Sequence, residues 1–125
     1  MTPLVFLALS LAGGLGAAAR LFVDGFVRSR IRLSYPLGTT VINVSGSLLL
    51  GFVTGLALAH ALPEEWRLIL GGGFLGGYTT FSTASFETVR LAQTGRYGLA
   101  LTNGLGMLVA SVAAAGLGLW LGSLV

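Results

Sequence analysis

The chain contains no cysteine and a single histidine, His60. That removes disulfides, thiolate catalysis and sulfur-ligated metals, and leaves a metalloenzyme without its usual ligands. Lysine is absent as well, so the seven basic residues are all arginines. Charge of either sign is scarce: 9% of residues are charged against 54% hydrophobic, with a mean hydropathy of +0.90, a composition that cannot clothe a water-soluble surface. The formal charge of +3 and a pI near 10.2 would suggest nucleic acid as the partner of a soluble protein. Here the arginines sit at the edges of apolar runs, Arg20 excepted, which reads as membrane topology and not as nucleic-acid binding.

A bilayer crossing takes roughly 20 apolar residues as a helix, and the 125 residues accommodate four with short turns. The expected spans are Leu4 to about Phe26, Tyr35 to about Leu62, Trp66 to about Leu91 and Tyr97 to Val125. The reading is an all-α integral membrane protein of four transmembrane helices, one domain over 1–125, with no room for a soluble nucleotide-binding or catalytic domain. The start, MTPLVFLALSL, lacks a basic leader segment, and Arg20 interrupts where a cleavage site would lie, so it reads as a retained helix. Arg28, Arg30 and Arg32 in the first connection and Arg96 in the third, with Arg90 beside it, face one side. Arg67, next to Glu64 and Glu65, faces the other. The positive-inside rule makes the first and third connections cytoplasmic.

Glycine is abundant, with 20 residues. Gly13 and Gly14 with Ala17 and Ala18, Gly51 with Gly55, and Gly118 with Gly122 show the spacing that lets helix backbones approach closely in lipid. The run GGGFLGG at 71–77 differs, because five glycines in seven positions each weaken a helix by roughly 1 kcal/mol relative to alanine. The third helix is expected to break between Gly76 and Thr80. Breaks in a membrane are tolerated where the freed carbonyls find an ion or a cavity. No Gly-Lys-Ser/Thr follows the run, which excludes a phosphate loop.

Against this apolar background the polar residues are conspicuous, since their depth in lipid marks a conduction path or a packing seam. At about 100° per residue Thr40, Asn43, Ser47 and Thr54 fall on one stripe of the second span, with Gly51 among them. Thr54 is expected to bond a neighbouring helix. Asn43, costlier to bury and carrying two N–H donors, is expected to face a pore. Beyond the break, Thr80, Thr83 and Glu87 share one face, and Phe81, Ser85 and Thr88 another. An aromatic edge is positive and suits a small dehydrated anion. Arg20 must pair, snorkel or cap carbonyls, and can set a positive vestibule potential.

Three blocks, GGLGAAAR at 13–20, PLGTTVINVSGSLLLG at 36–51 and GFLGGYTTFST at 73–83, resemble in order and spacing the signature blocks of the CrcB/Fluc fluoride channel family. The similarity covers nearly the whole chain. It implies an antiparallel dimer of four-helix subunits in the inner (plasma) membrane, with fluoride pores drawing on both chains and a central structural sodium ion at the broken third helices. By position, Asn43 would be the pore amide and Phe81 the first of the family's paired rings. Ser82 and Thr83 would supply hydroxyls, Glu87 the carboxylate toward the pore end, and Arg20 the first-helix arginine. The backbone carbonyls of Gly76 and Thr79 would hold the sodium ion. The function implied is passive fluoride export that protects the cell from fluoride toxicity.

Two positions depart from that pattern. The second ring of TTFSTF is Ala84 here, and Phe86 lies about 200° around the helix from it. In the fourth span, an aromatic hydroxyl followed four residues later by serine is replaced by Asn103 and Met107, with Ser111 after them. These departures and the arginine asymmetry leave two partners open, an identical chain or an oppositely oriented relative. The alternatives are a small multidrug-type exporter, which wants an acid within the first span where this chain has Arg20 and, near the end, Asp24, and a non-transporting membrane assembly subunit whose polar face docks a partner helix. An intramembrane enzyme lacks a nucleophile–base pair, since Thr79, Thr80 and Ser82 have no histidine at a usable spacing.

Overall fold

The computed structural model describes residues 1–32 and 35–125, and every regular element among them is helical. Helix α1, Pro3–Arg30, starts where the Thr2 hydroxyl accepts from the Val5 N–H at 3.2 Å and proline occupies the first turn. It runs past the expected end at Phe26. Arg28 and Arg30 therefore belong to its last turn, where cations complement the negative end of the helix, and not to the connection. Helix α2, Leu37–Leu58, stops short of the expected Leu62. The His60 N–H reaches the Ala57 carbonyl and the Ala61 N–H reaches that of Leu56, with His60 at a φ of 60°. That is a left-handed C-terminal cap, and Pro63 then forbids helix at Leu62.

The third passage comprises α3, Glu64–Arg67, a π-helical stretch, Leu68–Leu75, then α4, Gly76–Tyr78, and α5, Phe81–Gln93. Gly71, Gly72 and Gly73 lie within the π-helical stretch, and Gly76 and Gly77 open α4. Thr79 and Thr80 are extended, with ψ of 159° and 122°. The fourth passage is α6, Tyr97–Leu101, a second π-helical stretch, Thr102–Gly106, and α7, Met107–Ser123. Three continuous helical segments are long and apolar enough to cross a membrane: Pro3–Arg30, Leu37–Leu58 and Tyr97–Ser123. The chain is thus a multi-pass membrane protein by length and composition. Between α5 and α6, Gly95 at φ 80° makes the turn, and the Arg96 N–H closes it onto the Leu91 carbonyl at 2.9 Å.

Packing follows the small residues. α2 lies along α7, and a Cβ placed on Gly51 or Gly55 would collide with the Ala115 or Leu119 carbonyl of α7. One on Gly118 or Gly122 would collide with the Leu48 or Phe52 carbonyl of α2. The two glycine pairs seen in the sequence therefore face each other. α1 meets the third passage in the same way, with Gly16 against the Phe74 carbonyl and Gly77 against that of Gly13. Ile42, Leu75 and Tyr78 form the buried apolar centre, with Ala19, Val23 and Phe74 packed around it. Tyr78 stacks on Phe74 at 6.3 Å between centroids and places its hydroxyl 3.1 Å from Ser45 Oγ.

Candidate functional site

The site is built around the extended pair Thr79–Thr80. Thr80 caps α5: its Oγ1 accepts from the Thr83 N–H and lies against Thr83 Oγ1, both at 3.1 Å. Its own N–H and carbonyl point out of the helix ladder and toward α2. Asn43 satisfies both, with Oδ1 accepting from the Thr80 N–H and Nδ2 donating to the Thr80 carbonyl, each at 2.8 Å. A side-chain amide here copies the pairing of a neighbouring strand, which a buried backbone demands once its helix is interrupted. A further Nδ2 contact reaches Met107 Sδ at 3.1 Å.

The arrangement leaves carbonyls without their helical donors. In an unbroken helix the Gly76 carbonyl would take the Thr80 N–H and the Thr79 carbonyl the Thr83 N–H. Both donors are engaged elsewhere, on Asn43 and on Thr80 Oγ1.

Next to this clasp lies a cavity of about 560 Å3 between α2, α5 and the fourth passage, lined by Asn43, Ser47, Phe81, Thr88, Asn103 and Met107 among others. Asn103, Met107 and Ser111 line it together because they recur at i, i+4 and i+8. Asn103 is 1% exposed; it donates to Thr88 Oγ1 at 2.8 Å and to the Ala84 carbonyl at 3.4 Å, while its Oδ1 and Ser111 Oγ lie buried without a partner among the described residues. Phe81 is 87% exposed at the rim.

Of the residues singled out in the sequence, Asn43, Ser47 and Phe81 therefore share this cavity with Thr79. Ser82 and Thr83 flank Thr80, the former with its Oγ 3.4 Å from Thr80 Oγ1. Thr40 lies a turn below and contacts its own helix at the Pro36 carbonyl, 3.5 Å away. Thr54 does not bond across to a neighbour as expected; its hydroxyl donates to the Leu50 carbonyl of its own helix at 2.8 Å, the local partner that threonine finds within any helix. Phe86 points away from the cavity and is 65% exposed. Arg20 is half-buried along α1, and among the described residues no ion pair includes it.

Glu87 sits apart, at a second cavity of about 360 Å3 with Arg28, Tyr35, Arg90 and Arg96. Arg28 donates from Nε to both oxygens of Asp24, at 3.0 and 2.9 Å, and from Nη2 to Glu87 Oε2 at 3.4 Å. Thr80's role as the partner of Asn43 goes beyond the motif reading, whereas Asn103, Met107 and Ser111, singled out in the sequence as departures from the family's pattern, line the cavity together. The four-residue spacing of the latter was the available signal.

Residues 7–119 match the family model described as CrcB-like protein, camphor resistance (CrcB). The chain is 66% identical to the fluoride-specific ion channel FluC 1 of Leifsonia xyli subsp. xyli, over 99% of its own length and 90% of that protein. It is 52% identical to the fluoride-specific ion channel FluC 2 of Cutibacterium acnes, over 90% and 93% of the two chains. With the fluoride-specific ion channel FluC of Syntrophotalea carbinolica the identity is 46%, over 94% and 95%.

Proposed function

The chain belongs to the CrcB-like family, and from that membership we infer that it is a fluoride-specific ion channel, a passive conduit and not an enzyme. The observation that carries this reading is the near full-length identity to relatives bearing that name. Its role is to let fluoride leave down its own gradient across the plasma membrane, preventing toxicity.

The chemistry of the site supports the reading. Fluoride is small and strongly hydrated, so a selective path replaces water with several closely spaced weak donors, which permits exit as well as entry. The Asn43 amide, the hydroxyls of Ser47, Thr80, Ser82 and Thr83, and the edge of Phe81 supply them. The Asn43 donor directed at Met107 is the accessible one, because a thioether is a weak acceptor that an anion displaces.

The working unit in this proposal is an antiparallel dimer, with a second subunit, identical or homologous, closing the open side of the cavity where Phe81 projects. The third passage acts in the membrane as a broken helix. The Gly76 and Thr79 carbonyls, deprived of their regular helical N–H donors, suit a hard cation such as sodium, and two copies would double them to a set large enough to hold one. Such an ion supplies positive charge where backbone acceptors converge and ties the two breaks together.

The test is fluoride efflux, with chloride as control, from liposomes holding the purified chain and valinomycin to carry compensating potassium. Fluoride release without chloride release from this chain alone establishes a self-sufficient selective channel. Silence that persists after an oppositely oriented relative is added refutes the assignment.

A further inference from the structure

The cavity at Arg28, Tyr35, Glu87, Arg90 and Arg96 lies away from the Asn43 clasp, but the two are joined along α5. Thr80, Thr83 and Glu87 recur at three- and four-residue steps on one face, so a line of hydroxyls leads from the clasp to a carboxylate about 10 Å along the helix. A carboxylate is an unsuitable end for an anion path. Glu87 is 14% exposed, its Oε1 is buried without a partner among the described residues, and its Oε2 faces Arg28 Nη2 at 3.4 Å. Arg28 itself is held by Asp24 through two contacts from Nε. Counting Asp24, three arginines stand against two carboxylates around this space.

We propose that this second cavity is the anion's mouth at the α5 end of the path, and that Arg28 keeps it passable by neutralising Glu87 while Arg90 and Arg96 gather anions from solution. The inference rests on the channel reading. Asp24 positions the guanidinium, because both of its oxygens share the single Nε–H and leave Nη2 free to reach Glu87 on α5. Arg90 and Arg96 sit at the last turn of α5 and just before α6, at the water boundary, where a positive potential raises local anion concentration and weakens with added salt. An ion pair that only tethered α1 to α5 would have a different signature: removing either partner would be equally harmful.

The experiment measures fluoride efflux from liposomes for the wild-type chain, with its partner subunit if one is required, and for Arg28→Gln, Arg28→Lys, Glu87→Gln and the double variant Arg28→Gln/Glu87→Gln. Arg28→Gln is expected to slow efflux by about tenfold or more at low salt, with the deficit shrinking as ionic strength rises. Arg28→Lys recovers most of the loss, and adding Glu87→Gln to Arg28→Gln restores flux. Unchanged flux in Arg28→Gln overturns the proposal. So does equal damage from Glu87→Gln and Arg28→Gln without recovery in the double variant, which is the tether. A silent wild type with its partner present refutes the channel reading and this inference together; an active wild type with an indifferent Arg28 refutes only the inference.

Discussion

Helices α2 and α7 meet twice, and the two meetings are opposites. In one half Gly51 and Gly55 lie against Gly118 and Gly122, and each backbone rests on the carbonyls of the other with no side chain between. In the other half Asn43, Ser47 and Leu50 face Met107 and Ser111 across a cavity of about 560 Å3. The same two helices are therefore a seam at one end and a wall at the other. Lipid gives no hydrophobic drive between helices, so close van der Waals contact along the seam must hold the pair together. That leaves the opposite half able to carry polar groups with incomplete partners, such as Asn103 Oδ1 and Ser111 Oγ. The seam supplies rigidity and the wall supplies chemistry.

The largest effect is expected from forcing the seam apart. Gly118→Leu inserts a branched side chain where even a Cβ would strike the Leu48 carbonyl and crowd the Phe52 N–H. Both are backbone atoms that cannot swing away, so the helices must separate. Gly118→Ala should cost about 1–3 kcal/mol, the range for overpacking, and Gly118→Leu more. Size-exclusion profiles and thermal inactivation in detergent check this. A monodisperse Gly118→Leu protein of wild-type stability would show that the seam is not what holds the pair.

Next comes the clasp that sets the wall. Asn43→Ala leaves the Thr80 N–H and carbonyl without their partners, and Thr80 is buried at 7% exposure. An orphaned buried group costs about 1–3 kcal/mol, so a loss of about 2–6 kcal/mol is expected for the two, together with loss of fluoride flux. Asn43→Asp retains an acceptor for the Thr80 N–H but sets a carboxylate against the Thr80 carbonyl and a like charge in the proposed anion path. It should suppress flux and cost at least as much stability as Asn43→Ala, since a partly buried carboxylate faces a carbonyl. Efflux equal to wild type in Asn43→Asp would remove Asn43 from the path.

Smaller still is the effect of Asn103→Leu on stability. The substitution removes the bond to Thr88 and the long one to the Ala84 carbonyl but also deletes an acceptor that has no partner among the described residues, so the changes oppose each other and the net is expected within about 1 kcal/mol. Flux should nevertheless fall, because the wall loses a polar side chain on the cavity. A large loss of stability with unaltered flux would place Asn103 among the packing residues of the seam and not in the wall.

This contrast between seam and wall was only half legible in the sequence. The spacing of Gly51 and Gly55, and of Gly118 and Gly122, identifies two small-residue faces, but spacing names a face and not its partner. The polar stripe of α2 was legible for the same reason, and the glycine run announced that the third passage would not be one regular α-helix. What replaces it, a π-helical stretch, the single turn of α4 and then two extended residues, includes Asn43 reaching Thr80 across 37 positions. No local pattern encodes that contact. Thr54 teaches the same lesson in reverse, since a hydroxyl that reads as an interhelical donor is satisfied four residues back in its own helix. Composition decides the environment, periodicity decides faces, and only the packed chain decides which faces meet.

The smallest predicted effect carries the opposite sign and serves as the control on the seam. Gly116 precedes Gly118 by two positions on α7, and a Cβ there would meet nothing within 4 Å. The two differ in the face they occupy, not in sequence character or depth along the helix. If glycine were required along α7 for flexibility, Gly116→Ala and Gly118→Ala would both be harmful. If it is required only for close approach, Gly116→Ala keeps every contact and gains helix propensity of about 0.5–1 kcal/mol. Thermal inactivation of the two alanine variants side by side decides between these accounts: a rise for position 116 with a fall for position 118 assigns the cost to backbone contact, whereas two falls would assign it to the helix itself.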